Sequence, residues 1–204
     1  MALNEDRLAE SAEVLATLDT DLARILADHG PPPLWARKPG FITLIRIILE
    51  QQVSLASADA MYRRLIDNIS PLTPASVLMA GPSHLRSFGV TRQKAAYFIN
   101  VAGAIENGAL DLRKLGRQSD EAVLTKLTSV KGIGPWTAKI YLLMALRRPD
   151  VWPIGDIALA TAFKNMKGWQ QRPTQPELNE FAKAWRPYRA TAARMLWHYY
   201  LTGM

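Results

Sequence analysis

Val130-Lys131-Gly132-Ile133-Gly134-Pro135-Trp136-Thr137-Ala138 is a tight turn running into a helix. The stretch from Trp136 to Arg147 has no internal Gly or Pro and reads as helical, with Pro135 suited to the first helical position, where no N–H is required. Upstream, Glu121 to Leu127 has helical character behind Ser119, a plausible N-cap. The unit over about 119–147 is therefore helix, hairpin, helix. Two glycines allow a tight backbone and a close external approach, and a helix N-terminus attracts anions. Lys126, Lys131 and Lys139 surround the turn, which makes phosphate the expected anion. Gly132, Gly134, Lys131 and Lys139 are the phosphate-binding candidates.

Outward from this hairpin the chain is helical almost throughout. Residues 5–28 place Leu8, Val14, Leu15, Leu18, Leu22, Ile25 and Leu26 on one face, predicting a single amphipathic helix that ends at His29-Gly30-Pro31. A second helix begins near Phe41 and carries Leu44, Ile45, Ile47, Ile48 and Leu49, so it should be buried on most sides. Gln51-Gln52-Val53-Ser54 interrupts the apolar run, and Ser54 caps a third helix reaching Ile69. Further helices are expected near 74–80, 82–87, 91–107, 176–184 and 187–201. Strand-like alternation is missing. The expected fold is all-α: a two-lobed helical bundle with a cleft between the lobes, formed by one compact unit over 1–204.

Composition narrows the chemistry. The 204 residues carry a formal net charge of +7, which suits a polyanionic partner. There are no cysteines, which excludes disulfides, a cysteine nucleophile and a cysteine-held zinc or iron–sulfur cluster in these residues. His29, His84 and His198 lack ligand spacing, so a catalytic transition metal is not expected. Neither a signal-like start nor an apolar stretch of membrane-spanning length is visible, and the expected location is the cytoplasm, in association with the nucleoid.

One acid stands out. From Ala122 to Pro176 the only carboxylates are Asp150 and Asp156, against eight lysines and arginines. Gly155-Asp156-Ile157 is also the pattern of a helix N-cap. Capping and catalysis are compatible, because the helix dipole favours negative charge there and a carboxylate stabilises a nearby developing cation.

The hairpin with a downstream Gly155-Asp156 resembles the helix-hairpin-helix superfamily of DNA base-excision glycosylases, and within it the 3-methyladenine DNA glycosylase II family. Similarity extends over Leu49-Glu50-Gln51-Gln52-Val53-Ser54, Phe88-Gly89-Val90-Thr91-Arg92-Gln93-Lys94-Ala95, Leu110-Asp111-Leu112, Trp185-Arg186-Pro187-Tyr188-Arg189 and Trp197. The resemblance implies that Asp156 is the catalytic aspartate, stabilising an oxocarbenium-like sugar or orienting water. It implies that Gln52 is the wedge filling the space left by an extruded nucleotide. Carbonyls of Thr128, Lys131 and Ile133 would face a structural monovalent or divalent cation, no other cofactor being required. Trp136 falls where bifunctional relatives carry a Schiff-base lysine, so the resemblance implies a monofunctional enzyme.

A purine alkylated on a ring nitrogen is cationic and stacks on indole, with a cation–π contribution of about 0.5–2 kcal/mol. Trp136, Trp197, Tyr141 and Trp152 are the candidate base-pocket aromatics. Ile140 replaces a pocket aromatic of the best-known bacterial form, and the N-terminal β-rich domain of that form is not expected here. Arg92 and Lys94 are either phosphate ligands or a solvated face. The implied activity is hydrolysis of the N-glycosidic bond of 3-methyladenine- or 7-methylguanine-type lesions in double-stranded DNA, by a monomer. The alternative is a non-catalytic module that binds damaged or distorted DNA through the hairpin.

Overall fold

The computed structural model describes residues 2–203, which contain helices and loops and no strand. The chain divides into two units, one formed by Met1–Ala36 with Leu142–Met204 and the other by Arg37–Tyr141.

The first unit opens with α1 (Glu5–Leu18) and α2 (Thr20–His29). The single helix expected over 5–28 is thus two. Asp19 breaks it, adopting an extended backbone and accepting the N–H groups of Asp21 and Leu22, while its other oxygen accepts the indole N–H of Trp185 at 2.9 Å. A side chain that bonds its own backbone competes with helix propagation, and local periodicity cannot register that competition.

The second unit holds α3 (Phe41–Glu50), α4 (Leu55–Asn68), α5 (Pro74–Ser87), α6 (Arg92–Glu106), α7 (Asp120–Thr128) and α8 (Pro135–Ile140). α3 is buried on most sides, as its apolar residues implied: Leu44, Ile45, Ile47, Ile48 and Leu49 are all fully buried. It packs on α4, α6 and α8. Ser54 caps α4 and Ser119 caps α7, both as expected. α5 is broken at Gly81, whose backbone is non-helical (φ 68°, ψ 169°) just before Pro82, so the element consists of two short helical pieces, as expected.

After α8 the chain runs through a π-helical turn, Tyr141–Ala145, which ends the regular helix earlier than the expected Arg147. The first unit then resumes with α9 (Ile157–Met166), α10 (Gln175–Phe181) and α11 (Arg189–Thr202). Every residue of α11 from Ala190 to Trp197 is buried, and the helix packs on α1, α2 and α9. Within that run Arg194 is completely buried and donates to the carbonyls of Leu34 (2.9 Å), Ala190 (2.9 Å) and Leu143 (2.8 Å). Burial pushes its guanidinium down to about 10, so it stays charged at neutral pH.

Candidate functional site

The hairpin between α7 and α8 is held by its apolar residues. Val130 and Ile133 are buried, and Ile133 N–H closes the turn on the Val130 carbonyl at 3.0 Å. This leaves Lys131 and Gly134 exposed and Gly132 and Lys139 half-buried. Gly134 is the N-cap of α8, with no side chain capping the helix, and Pro135 follows.

The two glycines are there for different reasons. Gly132 has φ 111°, and a Cβ added to it would lie 2.5 Å from Tyr97 Cβ. Its lack of a side chain is an internal requirement. Gly134 has φ −83°, and a Cβ there would meet nothing within 4 Å. Only something approaching from outside the chain would be obstructed by a side chain at Gly134. Gly132→Ala should therefore cost about 1–3 kcal/mol of stability, through strain and overpacking. Gly134→Ala should leave the melting temperature within a degree or two but weaken duplex DNA binding by about tenfold, since it crowds the turn that the sequence marks as a phosphate-binding candidate. Thermal melts and a DNA titration of both variants check the contrast.

The loop between α3 and α4 is tied to this hairpin. Gln51 Nε2 donates to the Gly132 carbonyl at 3.2 Å and to Thr137 Oγ1 at 2.9 Å. The next residue, Gln52, is exposed and has φ 55°, a left-handed conformation unusual for glutamine. α6 backs both loops. Lys94 is only 6% exposed and donates to the Leu49 carbonyl at 2.7 Å, while Asn100 donates to the Lys131 carbonyl at 3.2 Å. Lys94 is thus neither a phosphate ligand nor part of a solvated face: it caps the C-terminus of α3, and burial lowers its pKa. Arg92 is exposed. The Lys131 carbonyl, one of three expected to face a cation with those of Thr128 and Ile133, is already braced by Asn100.

In the other unit Asp156 is the N-cap of α9, at 9% exposure. Its Oδ1 accepts the backbone N–H of Leu159 at 2.9 Å and the indole N–H of Trp197 at 3.2 Å. Gly155, φ 82°, supplies the turn before it. The second acid of the region, Asp150, is taken by Arg189 in a two-pronged ion pair at 2.7 and 2.9 Å.

The four aromatic candidates separate. Trp136 is half-buried on the first turn of α8. Trp197 is 8% exposed, and its polar edge is committed to Asp156, so it orients the acid. Tyr141 is completely buried, and its hydroxyl accepts the Gly40 N–H at 3.0 Å. Trp152 is 4% exposed and lies 5.5 Å from the Trp185 ring. Tyr141 and Trp152 are therefore core residues of their units, which corrects their assignment as stacking faces: motif position cannot distinguish a ring lining a pocket from one filling a core. Ile140 is also buried, at 3%. Residue patterns missed Lys94 and Arg194 as positioning groups; for Arg194 the signal present was an arginine set beside Met195, Leu196 and Trp197.

Residues 45–187 match the model of the HhH-GPD superfamily of base excision DNA repair proteins, and the chain belongs to that superfamily. It is 28% identical over 186 residues to a relative from Bacillus subtilis (strain 168), covering 87% of this chain and 65% of the relative. It is 26% identical over 162 residues to the DNA-3-methyladenine glycosylase of the same strain, covering 74% of this chain and 54% of that enzyme. The chain thus spans less than two thirds of the length of these two relatives. Among solved structures, the Schizosaccharomyces pombe 3-methyladenine DNA glycosylase Mag1 in complex with abasic DNA aligns with a TM-score of 0.85 at 26% identity, over 92% of this chain and 95% of Mag1.

Proposed function

We propose that the protein is a monofunctional DNA glycosylase of base excision repair, releasing alkylated purines of the 3-methyladenine and 7-methylguanine type from double-stranded DNA. The observation that carries this reading is the carboxylate of Asp156, kept at a helix N-terminus by two donors converging on one oxygen. Such an acid is fixed in place before any substrate arrives, so little reorganisation is needed as charge develops. The relatives named as 3-methyladenine glycosylases support the substrate class.

In the reaction the C1′–N bond breaks and its electron pair leaves with the base. A ring-alkylated purine is already cationic, so it departs as a neutral molecule without needing a strong general acid. The sugar becomes oxocarbenium-like, and Asp156 offsets that positive charge. Water then adds to C1′ and loses a proton, leaving an abasic site. One carboxylate suffices where sugar hydrolases commonly use two. Trp136 offers an indole face to the extruded cationic base. Gln52 fills the gap in the duplex, and the hairpin around Gly134 and Lys131 holds the backbone. Extrusion costs a few kcal/mol, less at a damaged pair.

The reading also carries a monomeric protein acting in the nucleoid-bearing cytoplasm. It needs no cofactor; a cation at the Thr128, Lys131 and Ile133 carbonyls would be structural, and no step depends on it. With Trp136 where an amine would be needed, no covalent DNA adduct should be trapped by borohydride on a duplex carrying an abasic site. A gel-shifted adduct would instead assign lyase chemistry. The activity itself is tested by incubating the protein with duplex DNA methylated by dimethyl sulfate and identifying released bases by chromatography; failure to release any base from such DNA would remove the enzymatic reading.

A further inference from the structure

We infer that Gln51 is a positioning residue that sets the register of the Gln52 wedge against the DNA-gripping hairpin. The inference rests on the proposed glycosylase function and deepens it. The geometry behind it lies within one unit. The exposed tip at Gln52 has a left-handed backbone, φ 55°, and is flanked by exposed apolar side chains at Val53 and Leu55. A four-residue loop between two helices, exposed from Gln52 to Ser54 and with a strained residue at its tip, would ordinarily sample several conformations. Here it is fastened at its base. Gln51 Nε2 spans from the loop to the Gly132 carbonyl and to Thr137 Oγ1, and Thr137 is 1% exposed on the first turn of α8. One amide group thereby contacts the hairpin turn and the helix that follows it.

The other ends are fixed through α6. Lys94 holds the last turn of α3 by the Leu49 carbonyl, and Asn100, further along the same helix, holds the Lys131 carbonyl of the hairpin. Tyr97, between them, packs against Gly132 so closely that no Cβ fits. Wedge loop and hairpin are therefore mounted on one support, and Gln51 is the direct strut between them. When the hairpin takes hold of a phosphate, the strut fixes how far and at what angle Gln52 stands from it. Because the two duplex features are separated by a fixed distance along the DNA, wedge placement would become a consequence of backbone binding.

Gln51 touches neither base nor sugar in this account, so its effect must pass through Gln52. That is what the experiment reads. Single-turnover release of 7-methylguanine from a duplex should fall by about 10-fold or more in Gln51→Ala, while affinity for undamaged duplex changes by less than about twofold. In a Gln52→Ala background the same Gln51→Ala change should cost less than about twofold, because the wedge it positions is gone. Thr137→Val, which removes one of the two partners and keeps the shape, should reproduce part of the loss. Equal losses from Gln51→Ala with and without Gln52, or no loss at all, would overturn the inference.

A second readout separates it from the parent reading. A duplex bearing a tetrahydrofuran abasic analogue opposite 2-aminopurine reports wedge insertion by fluorescence without any catalysis. If wild type releases no base from any lesion, the glycosylase reading fails, yet a fluorescence change that is weakened by Gln51→Ala would still support the strut. An identical change in wild type and Gln51→Ala contradicts it, whatever the catalytic result.

Discussion

Replacing Asp156 by asparagine will leave the protein folded and able to bind DNA, and will cut base release by about 100-fold to 10,000-fold. Asparagine is as good an N-cap as aspartate, and its carbonyl oxygen can still accept the Leu159 N–H and the Trp197 indole N–H. Stability should therefore move by less than about 1 kcal/mol. What disappears is the negative charge that the proposed mechanism sets against the sugar as it turns cationic. Single-turnover release from a duplex containing 7-methylguanine, measured beside a thermal melt and a binding titration, separates these terms. Unchanged release by Asp156→Asn would show that the carboxylate is a cap and nothing more, and would favour a non-catalytic module.

Arg194→Leu should produce the largest loss of stability, about 3–5 kcal/mol. Leucine fills much of the apolar space around the arginine stem but donates no hydrogen bond. The Leu34 and Leu143 carbonyls then lose a charged donor in the interior. Ala190 is affected less, since a helix carbonyl four residues back also faces a backbone N–H. For a chain of this size the loss corresponds to a melting temperature lower by about 10 °C. Arg194→Lys should recover only part of it, because an ammonium lacks the planar fork that reaches several carbonyls together. Arg194 lies one helical turn before Trp197 on α11, so loosening it should also disturb the Trp197–Asp156 bond. A melt equal to wild type for Arg194→Leu would contradict this account of the core of that unit.

These two residues mark how far the sequence could be read. The all-helical fold was legible because amphipathic periodicity and caps such as Ser54 and Ser119 are local signals. The hairpin and Asp156 were legible because turn glycines, an N1 proline and an isolated acid are local as well. Arg194 was not, because its three acceptors belong to residues 34, 143 and 190. The same limit explains Asp19, whose break in the first helix is tied to Trp185, and Lys94, whose partner is Leu49. For the aromatics the difficulty was different. Tyr141, Trp152 and Trp197 are all candidate rings near a motif, with Trp197 placed ahead of the other two, and burial and hydrogen bonds put Tyr141 and Trp152 inside their units and Trp197 against the acid. Gly132 and Gly134 likewise read as a pair, until Tyr97 shows that one is demanded from within the fold.

The central claim is that this chain removes alkylated bases hydrolytically. Its most direct measurement is chromatography of what wild-type protein releases from duplex DNA treated with dimethyl sulfate. The account predicts free 3-methyladenine or 7-methylguanine, with one alkali-labile abasic site left for each base released and no strand cleavage before alkali. Intact DNA, with every methylated base still attached after prolonged incubation with stoichiometric protein, would contradict it.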